Sequence, residues 1–171
     1  MRYDLENFNR NSLTLEQQIF LCKIIPLAQL IQDWIINKAQ FAKKPSKFGL
    51  FPSLVISEII IQSQWGEHVL SKEEYNNRYS NNLCLLESDK FWIGKKHKYQ
   101  DKVFRAYKDW GNFATDFTDY VVFSGLFDDI LKSNNLEDQL IWWGRTKQDS
   151  SSYSGNMELL ISFFNLKEFD K

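Results

Sequence analysis

The sequence predicts an α+β fold that is mostly helical and has one small β-hairpin. Apolar residues recur at helical spacing over most of the chain, and strand-like runs are confined to one region after residue 90. No internal repeat is evident, and 171 residues are about the length of one ordinary domain. We therefore expect residues 1–13 to be a polar lead-in and residues 14–171 to form a single domain.

The first helical region is marked by a cap and a proline. Thr14 and Gln17 have the spacing of a capping box, so a helix is expected to begin there. Pro26 is expected to kink or restart it, because an internal proline removes a backbone hydrogen bond. An amphipathic helix should then run to about Gln40, with an apolar face made of Leu27, Leu30, Ile31, Trp34 and Ile35.

The next helix is apolar on nearly every side. Residues 51–53 open it, residues 54–61 are mostly aliphatic, and Gly66 is a suitable C-terminal stop. Glu58 and Gln62 lie four residues apart and therefore share one face. Because burying a polar group is costly unless it is paired or faces water, this stripe predicts either a cleft wall or side chains bonded to neighbouring backbone.

The second half of the chain alternates short elements with polar connections. An Asn-rich loop is expected over residues 75–82. Two strand-like runs, residues 91–95 and 103–107, predict the hairpin, with Gly94 and basic residues between them. Later segments are predicted as a long helix over 113–127, a short helix over 136–143, a polar loop over 144–155 and a closing helix over 157–164.

Composition argues against several classes of function. A net charge of −1 provides no overall attraction for nucleic acid, and no apolar run looks long enough to span a membrane. Cys22, expected to be buried, and Cys84 allow at most one disulfide, and no His/Cys cluster predicts a metal. No cofactor is expected. The basic run at residues 95–98 is either a solvated turn or a local binding patch.

The first 20 residues contain no secretion signal of the basic-then-apolar kind. From the sequence alone we expect a protein that is cytoplasmic, released by a phage-type route, or destined for the cell wall with its leader removed. The sequence assigns no oligomeric state.

Five short elements occur in order along the chain. Residues 24–28 read I-I-P-L-A, and residues 52–66 read P-S-L-V-I-S-E-I-I-I-Q-S-Q-W-G. Residues 81–83 read N-N-L, Trp92 follows, and residues 104–107 read F-R-A-Y. This set resembles the peptidoglycan-cleaving N-acetylglucosaminidases of glycoside hydrolase family 73, the flagellar muramidase and autolysin type. The resemblance implies a lysozyme-like fold with a substrate groove between a helical lobe and a small β lobe.

The chain departs from that family at three elements of the implied active site. The family's general acid is the glutamate of E-S-x-W-G, where this chain has Gln62, and the family's glutamine four residues earlier is Glu58 here. Residues 81–85 read N-N-L-C-L instead of N-N-L-F-G. The family's late element Y-A-T-D-P-x-Y is matched only loosely by residues 144–153, which include Tyr153.

Cleavage of a glycosidic bond needs a carboxylic acid to protonate the leaving oxygen. Gln62 can donate an N–H hydrogen bond but has no proton to give, and general acid catalysis is worth roughly 10²–10⁴-fold. Glu58 is the possible substitute acid, although it lies one turn, about 6 Å, away along the helix. Glu87, Asp89 and Asp101 are either candidates for a second carboxylate or surface residues.

The resemblance also implies residues that contact a glycan. Aromatic rings stack on sugar faces, and amide or guanidinium groups hydrogen-bond sugar substituents. The implied substrate-binding residues are Trp65, Asn81, Asn82, Trp92, Arg105, Tyr107 and Tyr153. A structural role stays open for Trp65, as core, and for Arg105, as an ion-pair anchor. Phe104 is expected to be scaffold, whereas Asn81, Trp92 and Tyr107 are expected to line the cleft.

The sequence-based hypothesis is a glucosaminidase-like domain that is catalytically impaired and binds peptidoglycan-type glycan or a protein partner. Three alternatives stay open. The chain is an active endo-β-N-acetylglucosaminidase that uses Glu58, or an engineered Glu-to-Gln form of an active hydrolase, or an intracellular protein-interaction module on the same fold.

Overall fold

The computed structural model describes residues 13–66, 80–99, 101–147 and 150–170. Over these residues the chain is 60% helical and has one two-stranded antiparallel sheet, so the predicted fold class is confirmed. The helices are α1 (Leu15–Phe41), α2 (Pro52–Ser63), α3 (Trp110–Phe123), α4 (Asp128–Lys132), α5 (Leu136–Arg145) and α6 (Ser150–Phe163). A 3₁₀ helix follows at Leu166–Phe169, and the strands are β1 (Lys95–Tyr99) and β2 (Lys102–Ala106).

The chain divides into two compact units. The first consists of Met1–Ser57 together with Thr118–Lys171, and the second is Glu58–Phe117. The division falls within α2 and α3. That residues 14–171 form one domain stays a prediction. Every candidate site residue except Tyr153 belongs to the second unit.

Helix α1 begins as predicted but is not restarted at Pro26. Thr14 Oγ1 accepts from the Gln17 amide at 3.2 Å, and Gln17 Oε1 accepts from the Thr14 amide at 3.0 Å, which confirms the capping box. Apolar side chains before and after Pro26 share one buried stripe, and their burial offsets the roughly 3 kcal/mol cost of an internal proline. The stripe consists of Phe20, Ile24, Ala28, Ile31, Ile35 and Ala39.

The buried face of α1 is rotated from the predicted one. Leu30 is partly exposed, and Cys22 is exposed instead of buried, because the stripe follows Ile24 and Ala28. The 27-residue helix also has the length and apolar composition to cross a membrane. By that criterion, the prediction that no apolar run is long enough to span a membrane is wrong. A core helix or a signal sequence passes the same test, and this helix buries one apolar stripe while only 28% of the tested window is buried.

The first unit has an extensive apolar core among its described residues. Phe127 lies against Trp143 with ring centroids 5.1 Å apart, and against Tyr120 at 5.4 Å. One buried amide, Gln139, ties the segment before α2 to this core. Its Nε2 donates to the Gly49 carbonyl at 2.7 Å, and its Oε1 accepts from a backbone amide at 3.1 Å.

A carboxylate caps the start of α2. Asp170 Oδ1 accepts from the Ser53 amide at 2.8 Å, and Asp170 Oδ2 accepts from the Ser53 hydroxyl at 2.6 Å. Negative charge is favourable at a helix N-terminus. Burial nevertheless raises the pKa of Asp170, and the bonds from Ser53 only partly oppose that rise.

In the second unit, β1 and β2 form the predicted hairpin, but the first strand begins later than expected. Residues 91–94 form a turn, and the basic residues themselves make β1. The turn is fixed by Asp89, whose Oδ1 accepts from the amides of Phe91 and Trp92 at 2.8 and 3.0 Å. Such local side-chain bonds compete with a β-ladder for the same backbone donors.

Two later predictions need correction. The long helix ends at Phe123 instead of residue 127, and the chain turns at Gly125, whose φ of 77° suits glycine. The polar loop predicted over 144–155 is much shorter, because α5 extends to Arg145 and α6 begins at Ser150. Packing of Met157, Leu160 and Ile161 in the core accounts for this, since tertiary burial overrides the weak helix propensity of serine and glycine.

Candidate functional site

The C-terminal half of α2 carries the two polar side chains that the sequence singled out. Glu58 is buried, with 1% of its surface exposed, whereas Gln62 is half-buried one turn later on the same face. Ser63 closes the helix: its Oγ donates to the Ile59 carbonyl at 2.7 Å and accepts from the Gly66 amide at 3.0 Å. The helix ends at Ser63, three residues before the predicted stop.

The backbone directly after Gln62 is strained. Gln64, Trp65 and Gly66 have φ values of 47°, 62° and 85°, so three consecutive residues are left-handed. For a residue with a Cβ this conformation costs roughly 1–2 kcal/mol. Strain of this kind is often retained at functional sites. Trp65 is half-buried, which leaves its sugar-binding role a prediction.

Asn81 and Asn82 make bonds to the backbone of the same unit. The buried Asn82 donates through Nδ2 to the carbonyls of Leu86 and Arg105, both at 2.9 Å, and its Oδ1 accepts from the Leu86 amide at 2.9 Å. Asn81 Nδ2 donates to the carbonyls of Tyr107 and Lys108 at 3.2 and 3.0 Å. Both amides therefore support the chain around β2, and contact with a glycan stays a prediction.

Arg105 is the centre of an ion-pair network. Its Nη1 donates to both carboxylate oxygens of Asp116, at 3.0 and 2.8 Å, and its Nη2 donates to Asp89 Oδ2 at 2.9 Å. The side chain is only 8% exposed. Burial lowers the pKa of Arg105, but the hydrogen bonds and charge of Asp116 outweigh this and raise it overall. The anchor role that the sequence left open for Arg105 matches this geometry.

Tyr107 belongs to the same network. Its hydroxyl donates to Asp116 Oδ2 at 2.6 Å. Burial, followed by the bond and charge of Asp116, raises the pKa of Tyr107, so the phenol stays protonated and remains a donor. The residue is buried, contrary to the expectation of an open cleft position, because its ring packs edge-on against Phe113 at 5.6 Å.

Trp92 is the aromatic side chain that this network surrounds. The Arg105 guanidinium lies over its ring at 5.1 Å from the centroid, and Tyr107 meets it edge-on at 5.5 Å. Its indole N–H donates to the Lys95 carbonyl at 2.8 Å. Trp92 is half-buried, and the neighbouring Phe91 and Ile93 are exposed.

The remaining candidates have simpler settings. Glu87 pairs with Lys102 at the surface, and Asp101 is exposed. Tyr153 lies in the first unit, where the Lys147 ammonium is 5.1 Å from its ring centroid. Among the described residues, no three His, Cys, Asp or Glu side chains are grouped so that they could hold a metal.

Sequence reasoning missed Asp116. It is half-buried on α3, between Phe113 and Phe117 in the sequence, and no motif marks it. One signal was available: an arginine inside an apolar strand requires an acidic partner, and an aspartate among apolar helical residues is a candidate for that role.

Comparisons with known proteins agree with the predicted resemblance. The chain is 26% identical over 102 residues to the peptidoglycan hydrolase FlgJ of Vibrio parahaemolyticus, an alignment that covers 54% of the chain. It is 25% identical to a "Probable N-acetylmuramidase" of Lactococcus lactis over 93% of the chain. The chain spans 32% and 40% of the length of these two relatives. No protein-family model matches the chain.

Solved structures share the fold. The glycoside hydrolase domain of Salmonella typhimurium FlgJ superposes with a TM-score of 0.66 at 14% identity, covering 89% of this chain and 90% of that domain. The catalytic domain of the autolysin Auto from Listeria monocytogenes gives a TM-score of 0.65 at 19% identity, with 96% and 92% covered. The chain is thus similar in sequence to peptidoglycan hydrolases and has their lysozyme-like fold, which confirms the predicted family resemblance.

Proposed function

We propose that the chain binds peptidoglycan-type glycan and cleaves it very slowly or not at all. The observation that carries the proposal is Gln62, which stands where the resemblance puts the general acid. An amide has no labile proton to deliver to a leaving oxygen. Similarity to proteins named as peptidoglycan hydrolases supports glycan as the ligand.

The burial of Glu58 favours loss of hydrolytic activity over the use of Glu58 as a substitute general acid. A general acid must come within about 3 Å of the oxygen that it protonates. Glu58 is 1% exposed in the middle of α2. A glycan arriving from solvent would reach it only after rearrangement of the helix surroundings.

Purified sacculi provide the direct test. The wild-type chain should bind them in a pull-down with a saturable isotherm and should release reducing ends no faster than the buffer blank. Release at ordinary enzyme rates, on the order of 10 per second, would overturn the impaired-enzyme proposal. Absence of binding would instead favour the protein-interaction alternative.

Two substitutions separate the proposal from an active enzyme that uses Glu58. Glu58→Gln should leave any residual hydrolysis unchanged, whereas its loss would identify Glu58 as the acid. Gln62→Glu should raise the rate by about 10²-fold or more, because it restores a general acid on the family's scaffold. The exposed Gln29→Glu is the matched control for the added charge and should change nothing.

A further inference from the structure

We infer that Asp116 is a positioning residue that acts through Arg105 and Tyr107 to hold the Trp92 ring in the orientation that stacks on a sugar. This role rests on the proposed glycan-binding function. In this inference Trp92 contacts the ligand, whereas Arg105 and Tyr107 hold its ring in place.

The Asp116 carboxylate accepts three hydrogen bonds from these two side chains. Both of its oxygens accept from Arg105 Nη1, at 3.0 and 2.8 Å, and Oδ2 also accepts from the Tyr107 hydroxyl at 2.6 Å. Its side chain is 20% exposed. Charge-assisted bonds of this length are strong and directional, so they fix both partners.

The two partners of Asp116 are also two groups that touch the Trp92 ring. Arg105 supplies a cation over one face at 5.1 Å from the centroid, and Tyr107 supplies an edge-on ring at 5.5 Å and 67°. Both contacts depend on geometry, since a cation must lie over the ring face and aromatic pairs favour tilted arrangements.

The other contacts of Trp92 occupy its N–H group and one edge of its ring. The indole N–H already donates to the Lys95 carbonyl. A Cβ on Gly94 would lie only 2.3 Å from the ring atom Cζ2, so the ring edge occupies the space that glycine leaves. The remaining exposed surface of this half-buried ring is apolar, and such a surface suits the apolar face of a pyranose.

Asp89 also helps to hold Trp92, because it bonds both Arg105 and the backbone of the turn that carries Trp92. Its Oδ2 accepts from Arg105 Nη2 at 2.9 Å, while its Oδ1 holds the amides of Phe91 and Trp92. Removing Asp89 would therefore disturb the turn itself. Asp116 makes no bond to that turn among the described contacts, so its removal tests the ring support alone.

A double-mutant cycle tests the coupling, with the β-1,4 tetramer of N-acetylglucosamine as the probe in titration calorimetry. Asp116→Asn and Trp92→Ala should each weaken binding about tenfold, because each removes a stacked or cation-supported ring contact. The double variant should bind no more weakly than Trp92→Ala alone. Additive losses would overturn the positioning role.

The indole N–H resonance of Trp92 gives a second readout that needs no glycan. Asp116→Asn should shift this resonance and accelerate its exchange with water, whereas Asp119→Asn, on the same helix and paired with Lys38, should not. An unchanged resonance in Asp116→Asn would overturn the positioning role. If the wild-type chain binds no tetramer, the glycan-binding proposal fails while this measurement still decides the role of Asp116.

A milder variant covers the case in which Asp116→Asn does not fold. Tyr107→Phe removes only the hydroxyl bond to Asp116 and keeps the ring. It should shift the Trp92 indole resonance by a smaller amount in the same direction. No shift in this folded variant would overturn the positioning role.

Discussion

The first unit places aromatic and aliphatic side chains of several helices in one apolar core, whereas the second unit is organised around charged and amide side chains. Trp143 and Phe127 illustrate the first arrangement, with tilted rings in contact and little exposed surface. Arg105, Asp116 and Asn82 illustrate the second, since each is buried or half-buried and makes several short bonds. Both arrangements stabilise structure, but through different interactions.

The difference is instructive because the candidate site residues lie mainly in the polar unit. Apolar contacts are not directional, and they tolerate small displacements of the side chains involved. Charge-assisted hydrogen bonds and amide–backbone bonds fix both distance and angle. The proposed function requires Trp92 and the backbone near Gln62 to be held in set positions, and such bonds suit that requirement.

The largest effect should come from the apolar unit. Trp143→Ala removes a buried ring and should lower the free energy of unfolding by about 3–5 kcal/mol. The adjacent Trp142 is half-buried beneath Arg145, so Trp142→Ala should cost no more than about 1.5 kcal/mol. Urea midpoints of both variants check the contrast, and equal losses would contradict it.

A slightly smaller effect is expected from the ion-pair network. Arg105→Leu leaves Asp116 without its counter-charge and should cost about 3 kcal/mol, near the lower end for breaking a buried pair. Lys102→Leu, on the same strand, removes only an exposed pair with Glu87 and should cost less than about 1 kcal/mol. The two losses are compared by urea unfolding at low and high salt, and only the Lys102 effect should be largely screened.

The amide bonds of the second unit come next. Asn82→Ala removes three hydrogen bonds to backbone groups and should cost about 2 kcal/mol. Asn112→Ala, at an exposed position on α3, is the matched control and should be within about 0.5 kcal/mol of wild type. Thermal unfolding of the two variants checks this, and a neutral Asn82→Ala would count against a structural role for its amide.

The smallest effect concerns the pH dependence of the first unit. The pKa of Asp170 is raised above its ordinary value of 3.8, so the folded protein holds this proton more tightly than the unfolded chain does. Wild-type stability is therefore reduced as pH rises from about 3.8 through the folded pKa. Asp170→Asn lacks this penalty, and its stability relative to wild type should increase over that range.

The measurement is the difference in urea midpoint between Asp170→Asn and wild type from pH 3 to pH 7. The exposed Asp129→Asn controls for loss of a charge on the same unit. A difference that is constant across the range would contradict a raised pKa for Asp170.

Patterns local in sequence predicted most of the helical architecture. The capping box at Thr14, the all-apolar α2 and the hairpin followed from spacing alone. The buried face of α1 did not, because several registers of an apolar helix satisfy the same periodicity and tertiary packing selects among them. The length of α6 was missed for a related reason, since its polar first turns are helical only through the core packing that follows.

The candidate site was predicted only in part. Trp92 and Arg105 were identified through a family resemblance, but Asp116 and Asp89 lie 11 and 16 residues from Arg105 and follow no period. Polar partners are chosen by three-dimensional proximity, and a single sequence does not reveal which carboxylate meets which guanidinium. For the same reason the sequence left open whether Arg105 faces a ligand or an internal partner.

The proline inside α1 has a consequence for hydration. Without an N–H on Pro26, the carbonyl of Cys22 lacks its usual donor one turn later, and both residues lie on the exposed side of the helix. Water can therefore occupy the open acceptor, and backbone amides around this point should exchange with solvent faster than those near Ile31 and Ile35. The exposed side of α1 thus offers one carbonyl to water, while the apolar stripe on its buried side is continuous.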